Sequence, residues 1–326
     1  MLPNPVAYPR EGSIARLPAR SKAARLVQVS LVQPVAVMIV DAHVHIFPRE
    51  MAAQRERLAA ADPYFAELYQ PPLDRMATAE NLLASMDAAG FDVAVVAGFG
   101  WRDQSLCREH NAYMLEVMSS HSGRIIALAT VNPSAPGAGA VLEDGLAAGL
   151  AGIGELMPDG PGYRIAQPDV LHLLGEAAAA HDVPILLHVS EPVGHRYPGK
   201  GTVAAAEVLA FAEHFPQVPL VCAHLGGGLP FFELMPEVRR SLGNVYYDTA
   251  AWPFLYTDRA FQVVNLAAPG KLLFATDYPL VNQQKALGRV RRLGLAAPVE
   301  EAILGANALQ VYARRREIGT QTVRSD

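Results

Sequence analysis

Short apolar runs rich in β-branched residues alternate along the chain with longer segments in which apolar residues recur at helical spacing. The apolar runs are nearly continuous, which is typical of strands that are buried on both faces of a parallel sheet. We predict eight strands, at 36–44, 91–97, 124–131, 150–156, 183–189, 218–225, 244–249 and 271–277. Helical periodicity predicts intervening helices, most clearly at 78–89, 104–119, 168–180, 203–214 and 230–242.

Local signals support two of these boundaries and suggest the architecture. Gly90 directly follows the first helical segment, where a helix C-terminus favours glycine. Pro168 stands in the first turn of the third segment, a position that proline favours. Strands that alternate with helices predict parallel β/α units. Eight such units in about 290 residues fit an α/β fold of the (β/α)8 TIM-barrel type, and a doubly wound open sheet is the alternative.

The two ends of the chain differ from this alternating body. Residues 1–37 are rich in Pro, Arg and Ala, show no periodicity, and lack the apolar segment of a secretory signal. Because Met38 stands directly before Ile39-Val40-Asp41, we expect a disordered extension over 1–37 with Met38 as the natural start; a transit peptide is the alternative. We expect a single domain over 38–313 and a flexible polar tail over 314–326.

Composition excludes several classes of protein. Hydrophobic residues make up 51 % of the chain and charged residues 18 %, which excludes disorder, and no long uninterrupted apolar run predicts a membrane span. The net charge is −5 although residues 1–37 are basic, so the body is acidic and no nucleic-acid partner is expected. Two cysteines are too few for a disulfide framework. We therefore expect a cytoplasmic protein with a small-molecule substrate, no membrane partner and a homodimer as its candidate assembly.

Ligand-type side chains stand at the ends of five predicted strands. His43 and His45 lie two residues apart at the end of the first strand, so both point to one face. Later strand ends carry Glu155, His188, His224 and Asp277. Each of these residues alone has a structural explanation. Because the strand ends of a barrel meet at one mouth, where active sites form, their joint placement predicts a metal site.

The residue types define the chemistry that we expect there. Imidazole and carboxylate ligands without a thiolate fit a divalent cation, and we expect one or two ions, zinc in preference to manganese or iron. An open coordination position would make this a catalytic site, with water activated at the metal. Asp277 is a candidate for metal binding and for proton transfer. His224 is a candidate for acid–base work or for stabilising negative charge on the substrate. The six candidate ligands are His43, His45, Glu155, His188, His224 and Asp277.

Substrate specificity is expected in the loops that follow the strands. After the second strand, Trp101 is a candidate for stacking on a substrate and Arg102 for holding a carboxylate; a loop anchor and a surface arginine are the alternatives. Glu191 and His195 lie in the long loop after the fifth strand and are candidates for lining the site; a solvated loop is the alternative. Trp252 follows the seventh strand and is a further candidate.

At these residues the chain resembles the amidohydrolase superfamily, most closely its amidohydrolase-2 branch, which includes metal-dependent hydrolases and non-oxidative decarboxylases. The resemblance covers about residues 38–312 and is carried by VDAHVH at 40–45, AHLGGG at 223–228, TDYP at 276–279 and GANA at 305–308. It implies both metal binding and proton transfer for Asp277. Glu155 departs from the branch and resembles the strand-four glutamate of TatD-like hydrolases, which helps to bind a second metal.

We expect a metal-dependent hydrolase that cleaves a C–N or C–O bond of a carboxylic acid derivative, such as an amide, ester or lactone. The first alternative is a non-oxidative decarboxylase that uses the same site on a small carboxylic acid. A TatD-like nuclease is a further alternative, which the acidic body disfavours. The last alternative is a non-catalytic binding protein, which the six intact ligand-type residues disfavour.

Overall fold

The computed structural model describes residues 38–69, 71 and 75–313 of the chain. Within these residues, eight parallel strands follow one another and helices lie between them. The strands are β1 (Val40–His45), β2 (Val93–Ala97), β3 (Ile125–Ala127), β4 (Ile153–Leu156), β5 (Ile185–Leu187), β6 (Leu220–Cys222), β7 (Val245–Asp248) and β8 (Leu272–Leu273).

The strands form two arcs that meet at both edges. Strands β1–β3 form one arc and strands β4–β8 the other. Between β3 and β4, the Ala129 N–H donates to the Gly152 carbonyl at 2.8 Å. Between β1 and the chain after β8, the His45 N–H donates to the Tyr278 carbonyl at 2.8 Å. The sheet therefore closes, and the fold is the (β/α)8 barrel that the sequence predicts.

Alternation along the strands separates the interior of the barrel from its helical coat. In β2, Val93, Val95 and Ala97 belong to a small inner cluster. Ala94 and Val96 instead belong to the larger cluster between the strands and the helices. Both faces of the strand are therefore apolar and buried, which explains why the strands appear in the sequence as continuous apolar runs.

A β-bulge in β1 changes this alternation next to the predicted site. The register between β1 and β2 shifts between Asp41 and Val44. Ala42 packs in the inner cluster, and the adjacent His43 also faces inward, where its ring bonds to Asp248 of β7. Bulges of this kind re-aim side chains and are common beside active sites.

Fourteen α-helices lie in the described residues, and several confirm the sequence prediction closely. Thr78 caps α4 and Gly90 ends it with a left-handed φ of 78°, as the glycine signal predicts. The helices are α1 (Arg49–Ala53), α2 (Arg55–Ala61), α3 (Pro63–Tyr69), α4 (Ala79–Ala89), α5 (Gln104–Ser120), α6 (Ala138–Ala147), α7 (Pro168–His181), α8 (Ala205–His214), α9 (Pro236–Ser241), α10 (Trp252–Leu255), α11 (Arg259–Ala267), α12 (Gln283–Arg291), α13 (Ala297–Glu301) and α14 (Asn307–Tyr312).

One predicted helix is wrong. The segment 230–242 is not a continuous helix, because His224–Leu234 forms tight 3-10 turns and α9 begins only at Pro236. Met235 between them is extended, with φ −88° and ψ 117°. Residues that precede a proline avoid the α conformation, which explains the break before Pro236.

Three further predictions concern membrane spans, the two cysteines and the ends of the chain. Among residues 38–69, 71 and 75–313, no helix combines the length and the apolar character that are needed to cross a membrane. Cys107 and Cys222 are both buried and unpaired. The predicted extension over 1–37 and the predicted tail over 314–326 lie outside the described residues.

Candidate metal centre

The six predicted ligands converge at one end of the barrel. His43 and His45 lie in β1 and Glu155 lies in β4. His188 directly follows β5, whereas His224 and Asp277 lie in the segments after β6 and β8. Their ligand atoms form two triads, within each of which all atoms lie within 4.8 Å of one another. The first triad is His43, His45 and Asp277, and the second triad is Glu155, His188 and His224.

The first triad is compact. The Nε2 atoms of His43 and His45 lie 3.0 Å apart. The Nε2 atom of His45 lies 3.5 Å from Oδ1 of Asp277. Both histidines are nearly inaccessible, whereas the Asp277 side chain keeps 15 % of its surface exposed. Asp277 is therefore the member of this triad that a substrate can reach most easily.

Glu155 connects the two triads. Its Oε2 atom lies 3.4 Å from Nε2 of both His43 and His45. Its Oε1 atom lies 3.0 Å from Nδ1 of His188 and 3.7 Å from Nε2 of His224. One carboxylate thus presents one oxygen to each triad, which is the arrangement of a bridging ligand.

Each histidine is oriented by an acceptor behind it. The outer ring nitrogens donate to Asp248, to the carbonyl of Ala97, to the carbonyl of Gly199 and to the carbonyl of Ala250, at 2.8–3.2 Å. Carbonyl and carboxylate oxygens only accept, so these outer nitrogens carry hydrogens. Such outer contacts are typical of histidines that bind a metal through the other nitrogen.

The inner ring nitrogens fit a metal ion. When the rings are neutral, each inner nitrogen presents a lone pair, and the inner nitrogens of His188 and His224 lie only 3.1 Å apart. In the first triad, the inner nitrogens of His43 and His45 likewise lie 3.0 Å apart. Facing lone pairs at this distance repel each other unless a proton or a cation lies between them. A divalent cation therefore fits the donor set.

Charges within the centre shift the pKa values of its members. Burial alone would lower the pKa of His43, but the carboxylates of Glu155 and Asp248 outweigh burial and raise it well above its ordinary value. Burial alone would raise the pKa of Glu155, but the rings of His43 and His188 hold it well below its usual range. Burial and the neighbouring His188 lower the pKa of His224. Glu155 is thus an anionic ligand at neutral pH.

Asp248 was not among the residues predicted for the site. It is fully buried at the end of β7. Its Oδ2 atom accepts from Nδ1 of His43 at 2.9 Å, and its Oδ1 atom accepts from the backbone N–H groups of His224 and Ala250 at 3.0 and 2.9 Å. A carboxylate at a strand end was the available signal, since the same signal identified Asp277.

A cavity of about 530 Å³ opens above the two triads. Five of the six candidate ligands reach it, together with a largely apolar wall. Arg75 lies in this wall, as do Leu68 and Tyr69 of α3. Further wall residues are Met157, His195, Tyr197, Phe254, Leu255 and Leu280. The size and the lining are typical of a small-molecule site.

Of the predicted substrate-binding residues in the loops, one lines the cavity and two are bonded to other groups of the protein. His195 lines the cavity. Glu191 lies behind the wall, where it accepts from the hydroxyl of Tyr197 at 2.7 Å. The guanidinium of Arg102 donates to the carbonyl of Gly160 at 2.8 Å, so a backbone group already occupies part of its donor surface.

The two predicted tryptophans are core residues in the structure. Trp101 is fully buried, and its Nε1–H donates to Nδ1 of His110 at 3.1 Å. Trp252 is also fully buried, with its ring 5.3 Å from that of Phe261 and its Nε1–H donating to Asp258. The position of Trp101 matches the loop-anchor alternative that the sequence leaves open for it. The aromatic groups at the cavity are instead tyrosines and Phe254.

Comparison with known proteins identifies relatives of this fold and site. A family model described as amidohydrolase matches residues 40–314. None of the curated proteins matches the sequence. The chain resembles the 5-carboxyvanillate decarboxylase of Sphingomonas paucimobilis, with 16 % identity, a TM-score of 0.69 and coverage of 85 % of this chain and 99 % of the other.

Two further solved structures are similar. The 5-carboxyvanillate decarboxylase of Novosphingobium aromaticivorans, with bound manganese and a nitrobenzoic acid, shows 16 % identity and a TM-score of 0.69 over 85 % of this chain and 97 % of the other. The 2,6-dihydroxybenzoate decarboxylase of Rhizobium shows 18 % identity and a TM-score of 0.61 over 85 % of this chain and 98 % of the other. At this level of identity the likeness shows a shared barrel fold.

Proposed function

This chain belongs to the amidohydrolase-2 family, and from that premise we propose that it is a metal-dependent, non-oxidative decarboxylase of a small carboxylic acid. The sequence alone ranks hydrolysis of an amide, ester or lactone first and decarboxylation second. Three of the similar solved structures are decarboxylases of aromatic acids, which supports the second expectation better than the first. The observation that carries the proposal is a largely apolar cavity with the two triads at its floor and Arg75 in its wall.

The two triads would hold a divalent metal. A bound divalent cation would act as a Lewis acid for the substrate carboxylate and a neighbouring oxygen. Manganese and zinc both fit histidine and carboxylate ligands, and manganese is present in one similar structure. We propose two ions, one per triad, because Glu155 presents a separate oxygen to each triad.

Asp277 is the proposed proton donor. Its Oδ1 atom faces His45 and its side chain lines the cavity, so Oδ2 is the atom that can carry a proton to the substrate. The substrate carbon that bears the carboxylate accepts this proton. The bond between that carbon and the carboxylate then breaks, its electron pair returns to the substrate, and CO2 leaves. Solvent restores the proton on Asp277.

The remaining groups orient the substrate. The inner Nε2 atom of His224 faces the centre and is placed to act on a developing negative charge at a substrate oxygen. Arg75 is placed to pair with a second anionic group of the substrate. Tyr69 and Phe254 are aromatic residues at the cavity, where we expect a planar ring to pack. A planar acid with a second polar or anionic substituent therefore fits the cavity.

Product analysis tests the proposed reaction. The purified enzyme, loaded with Mn²⁺ or Zn²⁺, is incubated in H2¹⁸O with hydroxylated aromatic acids and, separately, with lactones, esters and amides. We expect release of CO2 from an acid and no ¹⁸O in the product. An ¹⁸O-labelled carboxylic acid product, formed without CO2, would contradict decarboxylation and would establish hydrolysis.

Hydrolysis remains the second candidate because of one observation. A carboxylate shared between two triads is typical of centres that hold two ions and activate water. Metal content separates the one-ion and two-ion arrangements directly. We expect about two ions per wild-type chain and a lower content in Glu155→Gln, whose amide nitrogen cannot act as the second bridging oxygen. Equal content in the two proteins would exclude Glu155 as a bridging ligand.

A further inference from the structure

A single carboxylate behind the metal centre contacts one residue of each triad. Asp248 lies at the end of β7 and is fully buried. Its Oδ2 atom meets the ring of His43, which belongs to the first triad, at 2.9 Å. Its Oδ1 atom meets the backbone N–H of His224, which belongs to the second triad, at 3.0 Å. One oxygen therefore contacts a side chain of the first triad, and the other contacts the backbone of the second triad.

The contact with His43 fixes which ring nitrogen faces the metal. A carboxylate oxygen accepts, so Nδ1 of His43 carries the hydrogen. The other nitrogen, Nε2, then presents its lone pair to His45 and Glu155, at 3.0 and 3.4 Å. The alternative ring form would place a hydrogen on Nε2 and would block metal binding at that atom.

The contact with His224 fixes a strained backbone. His224 has a φ of 56°, in the left-handed region that residues other than glycine rarely occupy. The Asp248 Oδ1 atom holds the N–H of this residue and also that of Ala250 at 2.9 Å. The Ala250 carbonyl in turn accepts from Nδ1 of the His224 ring at 3.0 Å. Both the backbone and the ring of His224 thus depend on the β7 end.

We propose that Asp248 is a positioning residue that sets the ligand state of His43 and the orientation of His224, and so couples the two triads. This inference rests on the proposed metal centre. Asp248 would orient these two histidines before any substrate binds.

The variant Asp248→Asn separates the two contacts. Two backbone N–H groups converge on the position of Oδ1, so the amide oxygen of the variant is expected to occupy that position. The amide NH2 then faces Nδ1 of His43 and donates instead of accepting. This favours the ring form with hydrogen on Nε2, whereas the backbone of His224 stays in place.

Metal titration of the purified protein is the first test. We expect Asp248→Asn to bind Zn²⁺ or Mn²⁺ about 10- to 100-fold more weakly than wild type in calorimetry, which is the usual cost of losing such an outer contact. Glu233→Gln is the matched control, because Glu233 is an equally buried carboxylate that bonds to Tyr247 and Lys271 and to none of the ligand rings. It should keep wild-type metal affinity, whatever its melting temperature.

Wild-type affinity in Asp248→Asn would overturn the positioning role while leaving the proposed function intact. A wild-type protein that binds no metal would instead overturn the proposed function. A second measurement needs no variant of Asp248. In the Zn²⁺-loaded wild type with ¹⁵N-labelled histidine, we expect His43, assigned through His43→Gln, to show a protected proton on Nδ1. A proton on Nε2 instead would overturn the inference even if Asp248→Asn failed to fold.

Discussion

A single buried histidine shows how one residue contributes to the stability of the fold. His110 in α5 is fully buried. Its Nδ1 atom accepts from the indole N–H of Trp101 at 3.1 Å, and its Nε2–H donates to the Ile46 carbonyl at 2.8 Å. Both contacts require a neutral ring, and burial lowers the pKa of His110 to about 4.

The low pKa of His110 predicts a loss of stability in acid. In the unfolded chain the ring takes up a proton below about pH 6.5, whereas the folded protein resists protonation until about pH 4. Stability from this residue is therefore complete above pH 6.5 and falls between these values, by up to about 3 kcal/mol. Urea unfolding at pH 7 and pH 4.5 measures the loss in wild type.

The matched variant for this prediction is His110→Asn, which keeps a donor and an acceptor but does not titrate. It should lose less stability than wild type between the two pH values, even if it is less stable at pH 7. An identical pH dependence in the two proteins would assign the acid sensitivity to other groups.

Arg75 and Arg102 allow a second prediction at the residue scale. Arg75 lines the cavity, whereas Arg102 donates to a backbone carbonyl beside it. We expect Arg75→Leu to raise KM for an anionic substrate about 10- to 100-fold, the cost of one charged hydrogen bond. Arg102→Leu should change KM little and lower the melting temperature. Steady-state kinetics on the two variants distinguishes them, and the reverse pattern would return substrate binding to Arg102.

At the scale of elements, the segment His224–Leu234 is fastened to the barrel at its far end. Glu233 is 1 % exposed, accepts from the Tyr247 hydroxyl at 2.6 Å, and pairs with Lys271 at 2.8 Å. The segment begins with a candidate ligand and turns through consecutive residues of positive φ. Gly227 is required in this turn, because a Cβ there would lie 2.4 Å from the Ser190 carbonyl oxygen.

The buried pair predicts a double-mutant cycle. Lys271→Met leaves the Glu233 carboxylate buried with only the tyrosine as a partner, and we expect it to cost about 3–5 kcal/mol. Combining it with Glu233→Gln removes the buried charge as well, so the double variant should be more stable than Lys271→Met alone. Urea unfolding of wild type, the two single variants and the double variant measures the coupling. Additive losses would contradict the coupling.

The same elements show what the sequence can predict. Strands buried on both faces are visible as apolar runs, and the candidate ligands at their ends could be placed together because strand ends of a barrel converge. The sequence does not predict the turns over His224–Leu234. The residues of this segment pack against several neighbouring elements, so they do not form the single apolar face by which a helix is recognised. The role of Asp248 depends on which ring the fold brings beside the end of β7, and spacing along the chain does not encode that contact.

At the scale of the whole molecule, the candidate ligands come from both arcs of the barrel. His43 and His45 belong to the arc β1–β3, whereas Asp277 and Glu155 belong to the side of β4–β8. Between the arcs on this side, the backbone contributes bonds such as the Asp277 N–H to the His43 carbonyl at 2.9 Å. A cation held by ligands from both arcs would therefore resist their separation.

This arrangement predicts that metal removal destabilises the entire barrel. A ligand at about 1,000 times its Kd stabilises the folded state by about 4 kcal/mol, so we expect chelation to lower the melting temperature by several degrees in calorimetry. The variant His43→Ala/His45→Ala should already melt near the chelated wild type, and chelator should not change it further. Because Asp277 and the second triad remain in this variant, a large residual effect of chelator would place the stabilising ion at Glu155, His188 and His224 rather than between the two arcs at β1.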